Sequence, residues 1–143
     1  MSQMTDVAEN DFIDTYIRGQ TSTKPATWSI RLYTAAPGET GGGTEASYTN
    51  YAAVTQAASL ANFAGTQSAG STTASSGTGG QTSNNNALTW GTAAGSGPQT
   101  LTNFAWCSGT TPWYYGTLTS SRTINNGDAA PTAAAGQFTL TAQ

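Results

Sequence analysis

From Thr27 onward the apolar residues of this chain recur with period two, in short runs broken by glycine- and asparagine-rich turns. No other feature constrains the fold as much, because successive side chains of a strand point to opposite faces. In Thr27–Thr34, Trp28, Ile30 and Leu32 fall on one face and Ser29, Arg31 and Tyr33 on the other, which predicts a half-buried strand. Ser47–Thr55 is a second expected strand, with a bulge to reconcile the spacing of Tyr48 and Tyr51. Further strands are expected at Ala87–Thr92, Thr100–Ser108, Trp113–Thr119, Ser121–Ile124 and Gln137–Ala142. Before the last of these, Asn125-Asn126-Gly127-Asp128 carries an Asn-Gly turn signal.

Three segments depart from that pattern. The first 19 residues hold Asp6, Glu9, Asp11 and Asp14 together with Val7, Phe12, Ile13, Tyr16 and Ile17. Phe12/Tyr16 and Ile13/Ile17 are i,i+4 pairs, neighbours on a helix. Asp6 and Glu9 place negative charge at its start in a capping-like arrangement, and Gly19 is suited to the left-handed position after its end. One helix is predicted over about 6–18. The segment Ala35–Thr44, with Pro37 and four glycines, reads as a loop. Thr66–Asn86 contains only Gly, Ser, Thr, Ala, Gln and Asn, and reads as a long exposed loop, a hairpin tip or a disordered segment, one that its small hydroxyl residues suit to ordering on assembly.

The expected fold is therefore mainly β: a single domain over 1–143, an antiparallel β-sandwich or jelly-roll-like, with one short N-terminal helix. Charged residues make up only 8% of the chain, yet four Trp, six Tyr and four Phe supply a packed core, which separates it from disordered chains. The net charge of −3 and four scattered cations (Arg18, Lys24, Arg31, Arg122) argue against direct nucleic-acid binding and against polybasic membrane attachment. No apolar run approaches the ~20 residues of a membrane helix, and the acidic N-terminus does not resemble a secretory signal. The expected place of synthesis is the cytoplasm of the producing cell. The lone Cys107 has no partner for an internal disulfide and reads as a small apolar strand residue.

Catalytic chemistry finds little support. Histidine is absent, which removes the commonest general base and metal ligand, and one cysteine cannot assemble a zinc site. Neither a metal nor an organic cofactor is expected. Gly41-Gly42-Gly43-Thr44 lacks the Gly-Lys-Ser/Thr ending of a phosphate loop and reads as a flexible turn. Glu39, Glu45 and Asp128 are the acids outside the helix; a weak calcium site or a glycosidase pair is the sharp reading, and solubilised turns the plainer one. Trp113-Tyr114-Tyr115 is suited either to stacking sugars or to a strand that is core on one face and interface on the other.

Several islands resemble, in order, a widespread family of small phage virion proteins described as tail-fibre or head-decoration proteins. They are the helix ending in Arg18-Gly19, the strand and turn Pro25–Pro37, and Gly41–Glu45 leading to Tyr48 and Tyr51–Thr55. Trp113–Leu118, Arg122–Asp128, Ala135-Gly136 and Phe138–Leu140 complete the set, which spans roughly half the chain. The Ser/Thr/Gly-rich middle is longer than the family's pattern. The resemblance implies a non-enzymatic virion structural protein. Its first expectation is a capsid decoration or cement subunit, homotrimeric and bound to the major capsid protein on the outer surface of the head. The alternative is a tail-fibre or tail-tip subunit that contributes to receptor or glycan binding. Expected interface residues are Glu39, Gly41, Gly42, Gly43, Glu45, Trp113, Tyr114 and Tyr115, with Thr66–Asn86 a second contact region.

Overall fold

The computed structural model describes residues 2–22, 24–95 and 97–142. In chain order the elements are β1 (Ser2–Met4), α1 (Asp6–Phe12), which continues as a π-helical turn over Ile13–Ile17, and β2 (Thr27–Ala35). There follow β3 (Thr44–Glu45), β4 (Val54–Ala57), β5 (Gln81–Ser83), β6 (Leu88–Thr89), β7 (Gln99–Ser108), β8 (Thr111–Ile124), β9 (Thr132–Ala133) and β10 (Thr139–Thr141). They form one small, mainly β domain with antiparallel sheets and one N-terminal helix, as the sequence pattern predicts.

Strands β7 and β8 make a long hairpin closed by Gly109-Thr110, where Ser108 faces Thr111. Gly109 has φ +61, the conformation that a two-residue hairpin loop demands at its first central position. Strand β2 adds to the other edge of β7, with Ile30 opposite Trp106 and Leu32 opposite Phe104. Its far edge is shared by β4, along Thr27–Ile30, and β3, at Tyr33 and Ala35. Strand β1 closes the sheet against Tyr114–Gly116 of β8. The six-stranded order is thus β1-β8-β7-β2, then β3 and β4.

One face of this sheet is covered by a second layer made of two separate ribbons, β5/β10 and β6/β9. Ile30, Leu32, Leu101, Phe104, Trp106 and Ile124 from the sheet pack with Leu88, Trp90, Phe138 and Leu140 from the ribbons. Burying each such aliphatic side chain contributes about 1.5–3 kcal/mol, so this cluster dominates the stability. The Trp90 indole N–H donates to the Ile30 carbonyl at 3.1 Å and ties the layers together. The opposite face is not solvated as a half-buried strand would suggest. Tyr33, Ala105, Cys107 and Tyr115 form a smaller buried cluster there. Cys107 is a free thiol, and burial pushes its pKa up to about 11.

Polar residues do core work in the second layer. The Asn84 side chain donates to the carbonyls of Asn86 (2.8 Å) and Ala134 (2.9 Å), and its Oδ1 accepts the Phe138 N–H at 2.9 Å. With Asn84 1% exposed, these bonds replace water at a site that would otherwise strand several polar groups. The preceding low-complexity stretch is a loop stitched on itself. Gln67 donates to the Thr73 hydroxyl and the Ala74 carbonyl and accepts the Ser76 N–H, while Thr66 bonds Gln81 in both directions.

The differences from the sequence expectation have identifiable causes. Tyr48 and Tyr51 do not lie on a strand: Asn50 at φ +70 turns the chain, and the Tyr51 N–H donates to the Tyr48 carbonyl. Regular pairing begins only at Val54. Ala87–Thr92 contracts to the two residues of β6. The segments expected as two strands at 113–119 and 121–124 are one strand, β8. Its register slips between Thr117, opposite Asn103, and Arg122, opposite Leu101, so the surplus residues bulge. The Asn-Gly turn is closed by Asp128, whose Oδ2 accepts the Asn125 N–H at 2.7 Å.

Candidate functional site

The N-terminal helix is anchored at its start and exposed along its side. Thr5, which is fully buried, receives no helix N–H on its hydroxyl; it donates instead to the Pro112 carbonyl at 2.8 Å. Its own N–H donates to the Trp113 carbonyl, and the next N–H, of Asp6, to the Glu39 carbonyl. Beyond this latch Val7, Phe12 and Ile13 are about half exposed, and Tyr16 and Ile17 are 74% and 75% exposed. Five of the six exposed large hydrophobics among the described residues therefore sit on one short helical segment. Gly19, at φ +70, ends it as expected.

Charge is concentrated in the same place. Four carboxylates against Arg18 give this segment −3, and the remaining three acids and three bases cancel, so the helix carries the whole net charge. Asp14 and Arg18 form an exposed pair at 2.7 Å, of a type that contributes little to stability. A groove of about 490 Å³ separates the helix from the sheet, lined by Met4, Glu9, Phe12, Ile13, Tyr114 and Ala142. Burial, then the negative field of Asp11, raises the Tyr114 phenol above its ordinary pKa.

Tyr114 also borders a second depression, a cleft of about 420 Å³ between the sheet and the low-complexity loop. Trp28, Phe63, Trp106 and Tyr114 form its apolar side, and Thr66, Ser75, Gln81 and Thr82 its polar rim. The rings support one another: Phe63 and Trp106 have centroids 4.8 Å apart, and Trp28 lies 5.8 Å from Tyr114 and 5.7 Å from Trp113. The Trp106 Nε1 is buried without an acceptor among the described residues, a condition that costs about 1–3 kcal/mol.

The residues singled out from sequence are distributed over several environments. Glu45 lies on β3, its two carboxylate oxygens each 2.8 Å from the Arg31 guanidinium; Asp128 caps its own turn; Glu39 is exposed and its carbonyl holds the helix start. No group of three potential metal-ligating side chains occurs among the described residues. Gly42 and Gly43 are exposed, while Gly41 lies closer in, against Pro112. Trp113 and Tyr115 are buried within the chain, and of the aromatic run only Tyr114 opens onto the cleft. Trp28, Phe63 and Trp106 carried no sequence signal of a site, because the fold brings them together from separate strands and loops; the rim residues lie in Thr66–Asn86, which the sequence marked only as a contact region.

A profile of the family described as podophage GP4 fiber I protein gp80 matches residues 3–141. The chain belongs to this family. Membership makes it a phage virion structural protein. No curated protein matches the chain. The family's description names a fibre, the role that the sequence alone placed second to head decoration.

Proposed function

We propose that the chain is a non-enzymatic subunit of the phage tail fibre, attached to another virion protein through its N-terminal helix. The observation that carries this reading is the exposed apolar stripe of Phe12, Ile13, Tyr16 and Ile17, set among all of the chain's net charge. Apolar patches of this kind on a folded domain mark interaction surfaces. The fibre description of the family supports the tail over the head.

The charge identifies the kind of partner. A second copy packed helix to helix would bring −3 against −3, and its cations offer no compensating patch. Arg31 is engaged by Glu45, Arg122 donates to the Ala129 carbonyl, and Lys24 is isolated in sequence. The occupant of this face is therefore a different virion protein with an apolar groove rimmed by Lys or Arg. Complementary charge of this sort sets register and speeds association.

The test is the copy number of the chain relative to the major shell protein in purified particles. A handful of copies per particle supports the fibre; a number comparable to the shell protein returns the chain to the head. Tyr16→Ser particles should lack the chain although the variant folds. Normal incorporation would refute attachment by the helix.

A further inference from the structure

We propose that the cleft bounded by Trp28, Phe63 and Tyr114 is a binding site for a neutral sugar. Its apolar side is made of half-buried aromatic rings, the surfaces against which the C–H face of a pyranose packs. The opposite rim offers the Ser75 hydroxyl and the Gln81 side-chain amide, which donate to and accept from sugar hydroxyls, while the Thr66 and Thr82 hydroxyls, already donating to the Gln81 and Ala64 carbonyls, offer acceptor lone pairs. No lining residue is charged, so the site has no partner for the carboxylate of a uronic or sialic acid and selects against it. Its volume of about 420 Å³ falls in the range of roughly 300–1,000 Å³ typical of small-ligand sites.

A further observation favours a ligand. The rim is preformed. Gln67 braces the loop from inside through Thr73, Ala74 and Ser76, so little ordering remains to be done on binding. The site lies beside the helix groove rather than in it, and sugar binding does not depend on the fibre reading; only its use at a host surface does.

The full chain is titrated with methyl glycosides of neutral hexoses, 6-deoxyhexoses and N-acetylhexosamines, with methyl glucuronide as the charged comparison, by tryptophan fluorescence. At least one neutral glycoside should give a saturable change, with the glucuronide at least about tenfold weaker. Trp28→Ala should weaken binding by about tenfold or more through the lost stacking face. Because Trp28 also packs on Trp106 and Trp113, a second variant is needed: Ser75→Trp, at an exposed rim position, fills the cleft and should abolish binding. Absence of any saturable neutral glycoside, or wild-type binding by Ser75→Trp, overturns the proposal. So does a Ser75→Trp variant that loses self-association instead, which would make the cleft a protein interface. Ser75→Trp particles should still contain the chain, so a failure of the sugar site is distinguishable from a failure of the fibre assignment.

Discussion

The helix and the segment around Asn84 obey opposite rules. The helix holds the densest set of apolar side chains near the N-terminus and leaves them in water, whereas the most polar stretch of the chain places Asn84 in the interior. The difference is explained by what each can satisfy within one copy. Asn84 finds acceptors and a donor on Asn86, Ala134 and Phe138, so its burial leaves nothing unpaired. The helix is held by Thr5 at its start and buries Ala8, but a groove lies beneath Phe12 and Ile13, so within one copy its stripe stays exposed. Burial in this domain follows the availability of partners rather than side-chain hydrophobicity alone.

The sharpest way to break that comparison is Asn84→Ala, which leaves the buried Phe138 N–H without its acceptor and takes one donor each from the Asn86 and Ala134 carbonyls. It should destabilise the fold by about 2–4 kcal/mol, measured by urea unfolding. A cost below that of a surface substitution would mean that water replaces the side chain. Alkaline titration examines a second buried polar group. With the Cys107 pKa raised from 9.0 to about 11 in the fold, the unfolded chain loses its proton first. Stability should then fall progressively between about pH 9 and pH 11, where the folded state holds the extra proton. The buried Tyr33 and Tyr51 phenols, raised above their ordinary values chiefly by desolvation, act in the same direction. A flat profile through that window would show that the outer-face cluster opens without unfolding.

Thr5→Val removes the hydroxyl that donates to Pro112 while keeping the shape. It should cost about 1 kcal/mol and increase amide exchange in the helix before the sheet. Uniform exchange across both would place the latch elsewhere. The smallest expected effect is that of Ile17→Ser. Folding stability should change by less than about 0.5 kcal/mol because the side chain is already in water, while incorporation into particles falls. A large loss of stability would show that the stripe is supported within the chain itself.

Local pattern sufficed where one strand supplies one face. Trp28, Ile30 and Leu32 alternate cleanly, and β2 and β7 appear within a residue or two of their expected limits. It failed where a long-range bond decides the backbone. Tyr48-Thr49-Asn50-Tyr51 resembles a bulged strand, yet Asn50 turns it so that the two rings meet edge-on at 5.3 Å. Asn84 was indistinguishable from its polar neighbours because its partners lie some fifty residues away in sequence. The aromatic run at 113–115 was legible as an aromatic strand. That two of its members turn inward and only Tyr114 meets the cleft depends on how β8 pairs with β1 and β7.

The Thr5 latch has a mechanical consequence. If the helix is the point of attachment, a pull on it reaches the domain along the chain that leads into β2 and, at the helix start, through Thr5 and the three-residue β1, both bonded side by side to β8. The load at the helix start enters the longest strand of the sheet near the tip of its hairpin, and the central strands β7 and β2 behind it share the strain. The aromatic cleft lies beside the same strand, so tension on the anchored end is transmitted to a neighbour of the cleft rather than across the ribbons of the second layer.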